Sequence, residues 1–448
     1  MFRNALTPML GLLLAVATLI SAPVFAGTLP ETAPEKIGLS AERLDRITQA
    51  MKADYEAGKI SGAVALVARN GKIGYFQSVG MSDREKKSPM KNDTIFRIYS
   101  MSKPVTSVAV MMLYEEGKFF LSDPVSKYLP ELGGLRVAVQ PEGAMDGPVF
   151  NLPNEDPADA PRKPTSLADI TTETARREMT IEDLLRHTAG LTYGFFGNSE
   201  VDLLYQQMGI LTTEKTIEET VQKLGKLPLK LHPGETWEYS VSIDVLGRLV
   251  EVLSGQPFDV FLEERIFGPL GMVDTAFWVP DAKLDRFAQM YTPVPNREGE
   301  IQPAPAFFSR NFVNNPTHFS GGGGLVSTAA DYFRFCQMML NGGELDGQRI
   351  LSRTTIELMT DNHTLDIESS LREGGYEFGL GFAVATEPGR IGVPVSRGEY
   401  NWGGAAGTKF WIDPEEEFIG IYMVQILPHT GLHFGDQFKI LAYQAIAD

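Results

Sequence analysis

The chain has 448 residues, 43% of them hydrophobic and 22% charged, a globular composition with no internal repeat and no low-complexity array. Its formal charge of −17 comes without a compensating basic run, which excludes nucleic acid and anionic membrane surfaces as partners. The single cysteine, Cys336, excludes an internal disulfide, and the six histidines form no His-x-x-His or His-Glu-x-x-His spacing, so neither a metal nor another cofactor is expected.

Arg3, an apolar run from Leu10 to Ile20 and then Val24-Phe25-Ala26 read as a Sec-type signal peptide, residues 1–26, cleaved near Ala26. The run is shorter than the ~20 residues that span a bilayer, so no stable membrane insertion is expected after cleavage and the product is periplasmic or secreted. About 420 mature residues exceed one compact core, and two units are expected. Residues 41–58 place Leu44, Ile47, Met51 and Tyr55 on one helical face. A buried strand at 63–69, the turn Asn70-Gly71 and a return strand at 72–79 form a hairpin.

Residues 94–99 then read as a short strand leading into Ser100-Met101-Ser102-Lys103. Val105, Val108, Met112 and Leu113 recur at helical spacing, and Gly117 ends the helix. Ser100 therefore sits at a helix start, with Lys103 one turn on and sharing its face. A serine hydroxyl needs a neighbour to take its proton, and a desolvated lysine can be that base. The same spacing in Ser88-Pro89-Met90-Lys91 lies in a polar stretch with no helix following, and reads as surface loop.

From 122 to 320 helical segments dominate (181–187, 217–224, 244–254, 258–267), and prolines at 133–178 mark a surface excursion. Strands return at 379–385, 407–412 and 418–426, the last two joined through Asp413-Pro414-Glu415-Glu416, and a helix closes the chain at 434–447. The fold class is α/β (α+β), with a sheet built from distant segments, 27–121 and 321–448, and a mostly helical unit inserted at 122–320. Cys336 lies in a helical run with large apolar neighbours and reads as a packed core thiol.

Two later segments complete a pattern: Tyr239-Ser240-Val241 ahead of a helix, and Trp402-Gly403-Gly404-Ala405 ahead of a strand. Together with Ser100-x-x-Lys103 they resemble the serine β-lactamase and DD-peptidase superfamily, most closely its class C-like branch with the carboxylesterases. His187-Thr188-Ala189-Gly190-Leu191, Pro233-Gly234 and Gly322-Gly323-Gly324-Leu325 look like further landmarks, and the likeness covers nearly the whole mature chain. It implies an antiparallel sheet flanked by helices and an acyl-enzyme on Ser100. Lys103 and Tyr239 would move its proton, as coupled groups whose order the sequence leaves open. The Ser100 and Ala405 N–H groups would form the oxyanion hole. Gly403 and Gly404 would allow close approach of substrate. Taken singly, Tyr239 reads as a packed aromatic, Gly321 to Gly324 as a loop and His187 as a loop support.

Two departures bear on substrate. Val241 stands where the family carries an asparagine that orients a peptide or penicillin amide. Trp402 stands where a cation binds a carboxylate, and offers one neutral donor and an apolar face instead. Lys409 would face the other side of a continuous strand, whereas Arg397 could reach inward. The expectation is therefore a carboxylesterase for small neutral or apolar esters. A β-lactamase or D-amino-acyl peptidase, an acyltransferase, and a sensor that is acylated without turnover are the alternatives; the substrate is an ester or a lactam.

Overall fold

The computed structural model describes residues 29–139, 166–212, 214–295, 297, 299–305, 312–429 and 431–448. The expected leader at 1–26 and the middle of the proline-rich stretch lie outside them.

The frame is an eight-stranded antiparallel sheet. Its strands in chain order are β1 (Gly62–Arg69), β2 (Lys72–Asp83), β3 (Ser88–Pro89), β4 (Tyr376–Phe378), β5 (Ala383–Ala385), β6 (Tyr400–Gly403), β7 (Lys409–Asp413) and β8 (Phe418–Val424), arranged β4-β5-β6-β7-β8-β1-β2-β3. The first and last thirds of the chain thus meet where β1 pairs with β8, from Ala63↔Val424 to Arg69↔Phe418. The β1–β2 turn works because Asn70 and Gly71 both adopt positive φ, 53° and 72°, whose twist matches that of the strands.

All eight residues of β1 are buried, and its alternation divides two cores. Ala63, Ala65 and Val67 face helices α1 (Ala41–Glu56) and the C-terminal Phe434–Tyr443, meeting Leu44, Ile47, Met51 and Phe438. Val64, Leu66 and Ala68 face the opposite core with α2 (Ser102–Glu115), α3 (Ser242–Ser254) and α4 (Ala329–Leu340), and this core runs on into the helical segments between residues 122 and 320. The C-terminal Phe434–Tyr443 is α5. Cys336, on α4, is wholly buried, and burial pushes its thiol well above its ordinary value, so it packs as an apolar side chain. Among the described residues no helix is long and apolar enough to cross a membrane.

Three expected elements differ. Of 379–385 only Ala383–Ala385 is a strand, because Gly381 turns the chain at φ 101° between β4 and β5. Of 94–99 only Phe96–Arg97 is extended, paired with Val326–Ser327, and Tyr99 breaks the run at φ 43°. The strand expected at 407–412 begins at Lys409, and Tyr400–Gly403 is itself a strand, so the third motif spans a hairpin rather than a strand entry.

Packing across the two faces of the sheet is tight at Gly420, where an added Cβ would run into the Trp411 indole on the neighbouring strand. Gly420→Ala is expected to lower the unfolding free energy by about 1–3 kcal/mol, read from urea titration, because the indole has no free space to enter.

Candidate active site

Ser100 occupies a short 3₁₀ turn, Tyr99–Met101, directly before α2. Tyr99, held at φ 43° and buried against Phe312, bends the chain so that the serine enters the turn from a strand end. Lys103, in the first turn of α2, is wholly buried. Its Nζ donates to Ser100 Oγ at 3.1 Å and to the Gly322 carbonyl at 2.6 Å, and stands 4.6 Å from the Tyr239 ring centre and 5.2 Å from that of Tyr193.

The glycine run at 321–324 earns its composition here. An added Cβ on Gly321 would strike the Ile243 carbonyl, and one on Gly322 would strike the Asp244 carboxylate and the Tyr193 hydroxyl. Asp244, buried at the start of α3, accepts from Ser320 Oγ at 2.5 Å and from the Gly322 N–H at 3.1 Å. That clamp fixes the carbonyl to which Lys103 donates. The sequence reading of this run as a plain loop missed the connection; four consecutive glycines were the only signal for it.

Tyr239 lies between Ser100 and Trp402. Burial pushes its phenol well above its ordinary value, against the opposing hydrogen bonds from Ser100 and Trp402, so at neutral pH it is protonated. Trp402 Nε1 donates to the phenol oxygen at 3.2 Å. The indole N–H is therefore spent on Tyr239. Behind Tyr239 sits His187, wholly buried, its ring 4.9 Å from the Tyr239 ring centre and ringed also by Trp237 and Phe378. Burial first, and then neighbouring Lys103, hold its pKa well below the ordinary 6.5. The imidazole is neutral, with Nδ1 3.4 Å from Ser240 Oγ and no partner for Nε2 among the described residues.

Between β6 and β7 the chain makes a tight turn closed by the Gly407 N–H on the Gly404 carbonyl at 2.9 Å, a bond in which the Ala405 amide takes no part. Gly404 presses on the protein itself: a Cβ there would meet the Ile98 carbonyl and the Thr408 hydroxyl. The close approach expected of substrate at Gly404 is thus made by the backbone just ahead of Ser100, which locks the Ala405 turn to the Ser100 turn. Gly403 is less crowded, meeting only the Thr408 carbonyl at 3.1 Å.

A cavity of about 480 Å³ joins Ser100, Tyr239, Trp402, Gly403, Gly404 and Ala405. Val241 lines it where the amide-orienting asparagine was expected. Among its walls, Tyr193, Phe195 and Phe196 and the segment 432–436 ahead of and opening α5 were not found from sequence. The two candidate cations differ: Arg397 lies outside the lining, whereas Lys409 is part of it, against the expectation that it faces away. Arg397 donates to the Thr386 carbonyl and is absent from the lining, against the expectation that it could reach inward. Lys409 stands opposite Gly403 on the α5 face and pairs with Asp436 at the cavity's edge.

Residues 45–444 match the family model described as Beta-lactamase. The chain is similar to an uncharacterized protein of Mycobacterium tuberculosis, at 36% identity over 83% of this chain and 88% of that one. It is also similar to Esterase EstB of Burkholderia gladioli, at 32% identity over 83% of this chain and 87% of the esterase. Among solved structures it resembles EstCE1, described as a hydrolase with promiscuous acyltransferase activity, with TM-score 0.71 and 26% identity over 90% of this chain and 99% of that one. The expected fold, an antiparallel sheet flanked by helices, is the one these neighbours share.

The buried, neutral His187 makes stability depend on pH in a definite sense. Unfolded, the imidazole takes up a proton near its ordinary 6.5; folded, it does not. Its contribution is complete above that pH and is lost as pH falls below it, by up to about 1.4 kcal/mol per pH unit. His187→Gln is expected to lack this slope, so urea midpoints of the two proteins should draw together from about pH 7 to 5. Parallel midpoints would mean that His187 is charged in the native state.

Proposed function

This chain belongs to the beta-lactamase family of serine hydrolases, and from that premise we propose that it is a carboxylic ester hydrolase working through an acyl-enzyme on Ser100. The observation that carries the ester reading is Trp402: it stands where a carboxylate-binding cation is expected and gives its one N–H to Tyr239. The cavity then offers aromatic faces at Tyr193, Phe195, Phe196 and Trp402, which suit neutral apolar groups. The similar Esterase EstB supports the same choice.

The protonated Tyr239 supports one order of proton transfer. Lys103, when it has given up its own proton, can accept that of Ser100 as Oγ bonds to the ester carbonyl carbon, since its Nζ stands 3.1 Å from Oγ and is anchored on the Gly322 carbonyl. The Ser100 and Ala405 N–H groups receive the oxyanion, each such donor contributing ~3 kcal/mol. As the carbon–oxygen bond to the alcohol breaks, the Tyr239 hydroxyl protonates the leaving oxygen and Lys103 returns the proton to the phenol. Water then repeats the sequence on the acyl-enzyme, releasing the acid and restoring Ser100. An alcohol in place of water gives acyl transfer, the reading that EstCE1 favours as a second activity. We also infer that the reaction takes place after export, on the leader pattern at 1–26.

Hydrolysis of p-nitrophenyl butyrate, abolished in Ser100→Ala together with covalent labelling by a fluorophosphonate, is the expected outcome. Nitrocefin turnover at a matching kcat/KM would sink the preference for esters, and labelling without ester turnover would favour the sensor reading.

General acid catalysis contributes about 10²–10⁴-fold where the leaving group needs a proton. Tyr239→Phe should therefore slow hydrolysis of ethyl butyrate at least ~10-fold more than that of p-nitrophenyl butyrate, whose phenolate leaves unaided. Equal losses on both esters would remove Tyr239 from the acid's role.

A further inference from the structure

On the far side of the sheet from Ser100, the strand that carries Trp402 is anchored by charge. Along β6, Tyr400 and Trp402 pack on the α2 side, while Asn401 lies opposite Trp411 on the α5 side. There Glu399, just ahead of the strand, pairs with Lys439 of α5; the lysine is 1% exposed and the glutamate 0%. Asn401 Nδ2 donates to Glu399 Oε1 at 2.9 Å. The Tyr443 hydroxyl reaches the same group, donating to Asp413 at 2.6 Å with Glu399 Oε2 at 3.4 Å, and Asp413 is held by the N–H groups of Glu415 and Glu416.

An ion pair so deeply buried returns little net stability, since desolvating both charges offsets most of their attraction, and an apolar pair could fill the space. The register of β6 is set by its four residue pairs with β7, from Tyr400↔Ile412 to Gly403↔Lys409, and by two with β5, Ala383↔Asn401 and Val384↔Tyr400. How the strand seats against α5 rests on side chains, and alternation ties the side chain at 401 to the one at 402.

We propose that Glu399, fixed by Lys439, is a positioning residue: by holding Asn401 it seats β6 against α5 and so places the Trp402 indole N–H on Tyr239. The effect on turnover rests on the reading above that Tyr239 and Trp402 belong to the reaction site; the effect on Trp402 does not.

Two double variants separate the hydrogen bond from the charge. E399Q/K439M removes both charges and keeps an acceptor for Asn401; E399L/K439M removes the acceptor too. With the Trp402 indole N–H assigned by Trp402→Phe in the ¹⁵N spectrum of the whole chain, E399Q/K439M should keep the native signal, and kcat within about threefold. E399L/K439M should move that signal and lower kcat about tenfold or more, with KM within about threefold. Asn401→Ala, which leaves the ion pair whole, should move the indole signal as E399L/K439M does and decides the matter if that double variant does not fold; the signal is the readout here, because Asn401 also lines the cavity. Two double variants that both match the parent, or that both shift alike, overturn the proposal. If the parent protein turns over no ester but the indole signal follows the expected pattern, the positioning role stands and the hydrolase reading falls.

Discussion

A lysine amine removed from water must find its partners inside the protein, and Lys103 organises the molecule through that need. Its Nζ uses the Gly322 carbonyl, which obliges the 321–324 turn to come within hydrogen-bond reach of α2. The turn can do so because glycines let it lie against Ile243 and Asp244 without side chains in the way. Asp244 in turn holds the Gly322 N–H, and it begins the helix that Tyr239 precedes. Three segments far apart in sequence are thus coupled through one buried amine. Displacing any of them leaves a buried polar group unpaired, which costs about 1–3 kcal/mol and more for a charged one.

The parts that were legible in the sequence are those governed by local chemistry. The alternation of 63–69, the Asn70-Gly71 turn and the faces of the helices around Leu44 and Val105 follow from periodicity and turn preference alone. Lys103 lies by Ser100 because residues three apart share a helical face. What stayed hidden needs contacts between distant segments. Nothing local in Asp244 says that it clamps Gly322, and nothing near Tyr193-Gly194-Phe195-Phe196 says that these rings wall a cavity. Glycines misled in two ways: in 379–385 an apolar run with two glycines imitated one continuous strand, and at Gly404 the room left by a missing Cβ is taken up by Ile98 rather than by substrate.

The Glu399–Lys439 pair and the aromatic cavity divide labour across the sheet. One face carries rings and the Ser100 and Tyr239 hydroxyls; the other holds opposite charges away from water, between strand and helix. Side chains on a strand alternate, so a strand seated behind through Asn401 is also seated in front at Trp402.

Trp402 links recognition to proton transfer. A cation within ~4–6 Å of the Tyr239 phenol would favour phenolate by about 1–3 pKa units, and that phenolate would keep Lys103 protonated. The indole supplies only a neutral donor. Burial therefore decides, and the phenol keeps its proton. On the proposed reading, tryptophan at position 402 offers a substrate carboxylate no charge there and leaves the phenol of Tyr239 its proton. For an alkyl ester, whose leaving alkoxide is a strong base, a protonated phenol beside the scissile bond is the form the reaction requires.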